Sequence, residues 1–258
     1  MYSDTASTDA RAKLCSLLAE VFPGDLNGFY LASGGAEANE AAIRMARKYT
    51  GRQKIMTRYR SYHGATETTI AATGDPRSWV SDSHTSGIVK IADPFPFNFA
   101  WDDKDEEAGA LRCLGALHDQ IIQEGAHNIA AIMLEFITGA NGWLKPHRVW
   151  TEGVRALCDK YGIVLIADEV MTGFGRTGTF FGFQQYEGVL PDIVTFAKGV
   201  SGAYIPMSGV ALRQPLYEHF YNNPSGIGNT YSAHPVACAV AYATIKYTLD
   251  KDICGHVR

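Results

Sequence analysis

The fold is decided by residues 161–178, which read YGIVLIADEVMTGFGRTG. Within this stretch, residues 163–167 form a continuous apolar run with β-branched members, bounded by Gly162 and by the acids Asp168 and Glu169. Such a run predicts a strand that is covered on both faces, at the centre of a parallel sheet. Ligands of open α/β sheets bind outside the carboxyl ends of the strands, so Asp168 is expected where a ligand would lie.

A second strand and a lysine repeat this arrangement. Residues 192–196, DIVTF, predict a short strand, and Lys198 follows it in the tripeptide AKG. A lysine can form a Schiff base with a carbonyl, and a carboxylate can keep a pyridine nitrogen protonated. Asp168 and Lys198 therefore suit pyridoxal phosphate, although their spacing alone also allows a solvated acid and base at two strand ends.

Residues 168–178, DEVMTGFGRTG, followed by residues 195–199, TFAKG, resemble the cofactor core of the class III (omega) aminotransferases, which are pyridoxal-phosphate enzymes of fold type I. The resemblance covers nearly the whole chain, with several separate motifs in the family's order. It implies an α/β fold over residues 1–258, the large cofactor-binding domain of fold type I, with a mostly parallel central sheet flanked by helices. It also implies that the family's N-terminal segment and small C-terminal domain are absent from this sequence.

Composition and charge indicate a globular enzyme. The chain has 46% hydrophobic residues and a formal net charge of −4. Its lysines and arginines are scattered, so nucleic acid is not expected as a partner. The five cysteines form neither a CxxC pair nor a zinc-ligand spacing, so no metal is expected. Because no apolar run approaches the roughly 20 residues that span a bilayer and no signal peptide is recognisable, we expect a cytoplasmic protein without a membrane partner.

A glycine turn between a strand and a helix is a candidate phosphate site. Residues 33–36, SGGA, come before a helical pattern, and such a turn exposes backbone N–H groups at the positive end of a helix. Without a ligand, the same turn is a plain helix cap. The resemblance implies that the amides of Gly35 and Ala36 bind the cofactor phosphate. Many family members have a serine in this turn, so a hydroxyl contact is expected to be missing here.

The segment YHG at residues 62–64 contributes an aromatic ring and a histidine. The resemblance implies that Tyr62 stacks on the pyridine ring of the cofactor and that Val170 packs on the opposite face of that ring. His63 is a candidate cofactor contact, but a lone histidine in a loop is more typical of a surface residue or of a hydrogen-bonded one. We favour this non-catalytic interpretation of His63, which leaves the surface and the hydrogen-bonded residue as alternatives.

Two further site residues follow from later parts of the chain. Glu135 comes directly after the buried strand predicted at residues 129–134, where it lines the site or caps the sheet. The resemblance implies that Thr230 reaches the cofactor phosphate of a second subunit. A homodimer, or a dimer of dimers, is therefore expected.

Residues 173–178, GFGRTG, match the pattern GxGxxG of dinucleotide-binding proteins. That fingerprint needs its glycines directly after the strand and at the start of a helix, whereas residues 168–172 intervene here. A nicotinamide or flavin oxidoreductase is therefore not expected, and neither a GxSxG elbow nor an HExxH motif is found. Arg176 in this turn is expected to pack or to form a salt bridge rather than to bind substrate.

The resemblance implies transamination. Lys198 would hold the cofactor as a Schiff base and then move the proton of the donor carbon, while Asp168 keeps the pyridinium protonated. The motifs are similar to those of members that transfer an amino group from taurine, β-alanine or another ω-amine to a keto acid such as pyruvate. Two alternatives stay open: another reaction of the same cofactor, such as that of a decarboxylase or an aminomutase, and a non-catalytic remnant that binds cofactor without turnover.

Overall fold

The structure of the protein is a computed structural model, which describes residues 7–81, 87–95 and 105–258. In those residues the chain forms one seven-stranded sheet with helices on both faces. The strands are β1 (Leu26–Ala32), β2 (Lys54–Arg58), β3 (Ile88–Ile91), β4 (Ile129–Leu134), β5 (Val164–Asp168), β6 (Ile193–Phe196) and β7 (Ser208–Arg213). The α-helices are α1 (Asp9–Val21), α2 (Gly35–Thr50), α3 (Glu67–Ala72), α4 (Glu106–Gln123), α5 (Arg148–Tyr161), α6 (Gln214–Asn222), α7 (Pro235–Asp250) and α8 (Ile253–Val257).

The order of strands in the sheet is β1-β7-β6-β5-β4-β2-β3. Neighbouring strands from β3 to β6 are parallel, whereas β7 is antiparallel to both β6 and β1. β5 therefore pairs with a parallel strand on each side, which confirms the prediction of a central parallel strand. The sheet is mostly parallel and flanked by helices, as the predicted fold class requires.

Helices cover the sheet on both faces, because the central strands are apolar on both. Side chains along β5 alternate between two buried clusters: Val164 and Ile166 belong to one, and Leu165 and Ala167 to the other. The first cluster is completed by α2, whose inward side chains are mainly alanines, and by α6. The second is completed by α1, α4, α5 and α7. This two-sided burial leaves only the edges and the strand ends open to ligands.

Most predicted elements are present, with bounds that differ by a few residues. The short helices α3 and α6 have no counterpart in the sequence-based prediction, since helices of this length carry too few periodic positions to be recognised. Residues 74–107 carry few periodic signals in the sequence, and β3 is the strand that the structure describes there; residues 82–86 and 96–104 lie outside the described residues. No helix in the described part of the chain has the length and apolarity needed to cross a bilayer.

Candidate active site

A cavity of about 490 Å³ lies at the carboxyl ends of the parallel strands. Its volume is within the range of small-molecule and cofactor sites. Thr230 is absent from its wall and is exposed to solvent. The other residues that the sequence predicted all line the cavity: Gly35, Ala36, Tyr62, His63, Glu135, Asp168, Val170 and Lys198.

Asp168 ends β5 and is held by three hydrogen bonds. Its Oδ2 accepts from His63 Nδ1 at 2.7 Å and from Asn39 Nδ2 at 2.8 Å, and its Oδ1 accepts from the backbone N–H of Val170 at 3.0 Å. The side chain is only 3% exposed. A carboxylate held in this way has a fixed orientation and a hydrogen-bonded charge, and Oδ1, which accepts only one of the three bonds, keeps further acceptor capacity.

His63 is buried, so the surface interpretation of this residue is wrong and the hydrogen-bonded one is right. Its Nδ1 lies 2.7 Å from Asp168 Oδ2, and because a carboxylate can only accept, the ring donates from Nδ1. The other ring nitrogen, Nε2, is buried and has no partner among the described residues. His63 therefore belongs to the site through Asp168, a role that a single loop position could not reveal.

Asn39 is a site residue that the sequence reasoning missed. It lies one turn after Gly35 on α2 and is buried, and its Nδ2 donates to the backbone oxygen of His63 at 2.6 Å as well as to Asp168. Its Oδ1 has no partner among the described residues. The sequence feature that could have indicated Asn39 is a single amide side chain on the apolar, alanine-rich face of the helix.

The glycine turn after β1 leads directly into α2. The residue before the helix, Gly34, provides no side-chain cap, so the first N–H groups of α2 are left without one. A Cβ on Gly35 would lie 2.8 Å from Val170 Cγ1, so only glycine fits between this turn and the loop after Asp168. The turn therefore combines a positive helix end with close backbone access, which favours an anion.

Lys198 follows β6 and begins a 3-10 turn, Lys198–Ser201. Its backbone has a φ of 41°, in the left-handed region that non-glycine residues rarely adopt. Such a conformation is unfavourable by about 1–3 kcal/mol and is typically found at functional sites. Within the described part of the chain, its Nζ makes no hydrogen bond or ion pair. The amine is thus available in the cavity.

Glu135 both lines the cavity and organises the loops around it. Its Oε1 accepts from the backbone N–H of Tyr62 at 2.9 Å, and its Oε2 accepts from that of Gly139 at 2.8 Å. Burial raises the pKa of the Glu135 carboxyl, and the neighbouring His63 opposes this effect. The two roles that the sequence left open for Glu135 therefore occur together.

Glu169 fixes the glycine-rich loop after β5. The carboxylate is buried, and it accepts from Thr172 Oγ1 at 2.6 Å and from the backbone N–H groups of Gly182 and Phe183 at 2.8 Å each. The loop therefore continues as turns rather than as the helix that a dinucleotide fingerprint needs. Arg176 in this loop is exposed and forms no ion pair with a described residue, so the expected salt bridge is absent.

Comparison with known proteins gives one family. The family model "Aminotransferase class-III" matches residues 2–258. A putrescine–pyruvate aminotransferase of Pseudomonas aeruginosa is 35% identical over 95% of this chain and 55% of its own length. Gamma-aminobutyrate transaminase 1, mitochondrial, of Oryza sativa subsp. indica is 32% identical over 94% of this chain and 49% of its own length. The chain thus spans about half the length of the curated relatives it matches.

Solved structures agree with this family. The taurine:2-oxoglutarate aminotransferase of Bifidobacterium kashiwanohense, in complex with PLP and glutamate, superimposes with a TM-score of 0.94 and 39% identity, covering 99% of this chain and 58% of that one. An (S)-enantioselective omega-transaminase of Thermomicrobium roseum has a TM-score of 0.91 and 40% identity, covering 96% of this chain and 57% of that one.

Proposed function

The chain belongs to the class-III aminotransferases, and from this premise we propose that it binds pyridoxal 5'-phosphate and transfers an amino group from an ω-amino acid or amine to a keto acid such as pyruvate. One observation carries the proposal. The uncapped start of α2, the buried Asp168 and the unpartnered amine of Lys198 all line one cavity of about 490 Å³.

The residues of the cavity fit the chemical groups of this cofactor. The N–H groups of Gly35 and Ala36 would hold the phosphate, since an anion is stabilised at a helix N-terminus. Asp168 would bind the pyridine nitrogen, and Lys198 would hold the aldehyde carbon through its Nζ. Tyr62 and Val170 line the same cavity and offer an aromatic and an apolar surface to the ring. When bound, the cofactor supplies an electron sink for the carbon that bears the amino group.

Asp168 has the task of keeping a proton on the ring nitrogen. His63 and Asn39 both donate to its Oδ2, so they orient the carboxylate and compensate its charge. His63 and Asn39 are thus positioning residues, which act through Asp168.

Lys198 has the task of moving a proton between the donor carbon and the cofactor. General acid–base catalysis by a positioned side chain contributes typically about 10²- to 10⁴-fold to a rate. The Nζ has no competing partner among the described residues, so the amine would be free to reach both the donor carbon and the aldehyde carbon of the cofactor.

Thr230 supports the proposal of a homodimer. It is exposed, and its neighbour Asn229 donates through Nδ2 to Glu37 Oε2 at 3.3 Å. The same Glu37 oxygen accepts from the backbone N–H of Ser33 at 2.9 Å, so this segment lies beside the phosphate turn of its own subunit. An outward hydroxyl at this location suits contact with the phosphate site of a second subunit.

The decisive experiment is to add pyridoxal 5'-phosphate to the purified chain, reduce with borohydride and map the labelled peptide. We expect a visible absorption band, a label on Lys198, and loss of both in Lys198→Ala. A folded protein with no band would contradict cofactor binding.

A second assay separates the possible reactions. Transamination predicts that pyruvate is consumed in step with an amine donor and that alanine is formed. Release of CO₂ without pyruvate consumption would indicate a decarboxylase, and conversion of the amino acid to an isomer would indicate an aminomutase. A cofactor trapped on Lys198 without turnover of any substrate would indicate a non-catalytic remnant.

A further inference from the structure

Arg77 lines the same cavity, although none of the proposed cofactor contacts uses it. It belongs to a 3-10 turn, Pro76–Ser78, whose N-terminal cap is the side chain of Asp75. The guanidinium carbon of Arg77 lies 3.7 Å from the centre of the Tyr62 ring, a close cation–π contact. The guanidinium is therefore located beside the ring that is proposed to contact the cofactor.

Asp75 occupies one edge of this guanidinium. Arg77 Nε donates to Oδ1 and to Oδ2 of Asp75, each at 3.0 Å, and Nη2 donates to Oδ2. Asp75 is itself 5% exposed, and Asn141 Nδ2 lies 3.4 Å from its Oδ2. The carboxylate thus anchors Arg77 in one orientation, and its hydrogen bonds hold the pKa of the guanidinium above its usual value.

The other edge of the guanidinium is unused. Nη1 of Arg77 donates to no residue that the structure describes. Arginine has five N–H donors in a rigid planar fork, so the edge formed by Nη1 and Nη2 still offers two parallel donors. Such an edge matches the spacing of two oxygens of a carboxylate or sulfonate. Because the side chain is 49% exposed, a ligand can reach this edge from the open cavity.

The charges of the cavity wall leave Arg77 as the counter-charge for an anion. Lys198 and Arg77 are the lysine and arginine side chains of the described wall, and the cofactor would occupy Lys198. The wall carboxylates, Asp168 and Glu135, would repel a second anion unless a cation compensated it. Arg77 is the side chain that can do so.

We infer that Arg77 is a specificity-determining residue that binds the carboxylate or sulfonate group of anionic substrates through its Nη1–Nη2 edge, with Asp75 and Tyr62 holding it in place. This inference rests on the proposed function, because it concerns the substrates of the same cavity. It predicts that a substrate without a carboxylate or sulfonate group gains nothing from Arg77. The anionic group itself, rather than the reacting carbon, is what Arg77 recognises.

The test compares substrates that carry a carboxylate or sulfonate group with substrates that lack one, in the cofactor-loaded protein. In Arg77→Gln, the concentrations of β-alanine, taurine and pyruvate needed for half-maximal rate should rise about 10- to 100-fold, since a hydrogen-bonded contact to a charged group is removed. The values for propylamine and propanal, which lack the anion, should change less than about threefold. β-Alanine and taurine separate a carboxylate donor from a sulfonate donor. Arg77→Lys should recover part of the loss, because it keeps the charge but not the fork.

Arg148→Gln is the matched control, since Arg148 is an exposed arginine outside the cavity and should leave all of these values unchanged. Equal losses in Arg77→Gln for substrates with and without the carboxylate or sulfonate group would overturn the inference, because they would mean that Arg77 acts only through Tyr62. Calorimetric titration with the unreactive anion propionate needs neither turnover nor cofactor when it is made with Lys198→Ala, which removes the other cation of the wall. Binding that is absent, or equal in Lys198→Ala with and without Arg77→Gln, would also overturn the inference, whereas failure of the proposed function alone would leave propionate binding intact.

Discussion

At the amino ends of β5 and β6, charged side chains pair with one another, whereas at the carboxyl ends they keep unused hydrogen-bonding capacity. The amino-end cleft has a volume of about 210 Å³. In it, Arg155 lies 2.8 Å from Asp192 and 2.7 Å from Asp159. Arg213 lies 2.7 Å from Asp25 and 3.6 Å from Asp192. These charges therefore form one network within the protein.

The larger cavity at the other end contains similar groups in a different state. Lys198 Nζ and Arg77 Nη1 have no partner among the described residues, and His63 Nε2 is buried without one. A paired charge stabilises the fold when its partners compensate its desolvation, whereas a charge with free donors stabilises whatever ligand arrives. The comparison teaches that donors without a partner among the described residues, rather than the number of charges, distinguish the end of this sheet with the candidate site from the structural end.

Among these substitutions, Asp168→Asn at the carboxyl ends of the strands should have the largest effect, and the effect should be on activity. The amide keeps the shape but cannot hold a proton on the ring nitrogen, so kcat/KM for transamination should fall about 10³-fold, equivalent to about 4 kcal/mol. Stability should change by about 1 kcal/mol or less, because most of the hydrogen bonds are kept. Half-reaction rates and urea unfolding measure the two effects. A loss of several kcal/mol in the free energy of unfolding with activity retained would mean that Asp168 is a structural residue, contrary to the comparison.

Glu169 sharpens the comparison between paired and unpaired groups. It lies beside Asp168, but its carboxylate oxygens accept hydrogen bonds from Thr172, Gly182 and Phe183 inside the protein. Burial raises its pKa from 4.5 to about 7, so the stability it contributes is full below pH 4.5 and is lost as the pH rises to about 7. The change amounts to about 3 kcal/mol. Glu169→Gln cannot titrate, so the advantage of wild type over this variant should shrink between these two pH values. Urea unfolding of both proteins across that pH range measures this advantage. A stability difference that does not change with pH would contradict the raised pKa of Glu169.

Asp192→Ala should disrupt the charge network at the amino ends of β5 and β6. Arg155 and Asp192 are 11% and 16% exposed, so removing the carboxylate takes one acceptor from a mostly buried guanidinium, which keeps Asp159. It also leaves the backbone N–H of Leu165 without its acceptor. We expect a loss of about 2 kcal/mol in the free energy of unfolding, below the value for fully buried pairs. Asp192→Asn keeps an acceptor and should lose less. Cofactor affinity should not change, and a large decrease in it would mean that the two ends are coupled.

Lys246→Ala should have the smallest effect on the free energy of unfolding. Lys246 and Asp250 are 3.7 Å apart on the exposed side of α7, with 45% and 63% of their side chains accessible. An exposed pair contributes less than about 0.5 kcal/mol, and this contribution is screened by salt. Thermal unfolding at low and high salt checks it. A loss comparable to that of Asp192→Ala would show that pairing alone, rather than burial, determines the stability.

The sequence was sufficient for the parts of the site that follow buried strands. The apolar runs at β4, β5 and β6 predicted where Glu135, Asp168 and Lys198 lie, because a parallel sheet brings the carboxyl ends of its strands to one edge. Tyr62 and Val170 came from the resemblance alone, and both line the cavity. Their proposed contacts with the cofactor stay predictions, as does the contact of Thr230 with a second subunit.

What the sequence could not give depends on contacts between distant residues. Asn39 meets Asp168 across 129 positions of the chain, and no local pattern records that meeting. Arg77 comes from a region with few periodic signals, and its orientation depends on Asp75 and Tyr62 together. The antiparallel direction of β7 could not be predicted, because a short apolar run has no direction of its own.

One consequence concerns the time at which the anion site is completed during synthesis. Among the described strands, β1 pairs only with β7, and Ser208 Oγ donates to the backbone oxygen of Gly34 at 2.8 Å across 174 positions. The glycine turn before α2 therefore leaves the ribosome 174 positions ahead of Ser208, and it obtains its neighbouring strand only when β7 has emerged. Contacts this distant in sequence form late, so a turn that is synthesised before Glu135, Asp168 and Lys198 is fixed against its neighbouring strand only after all three have been made.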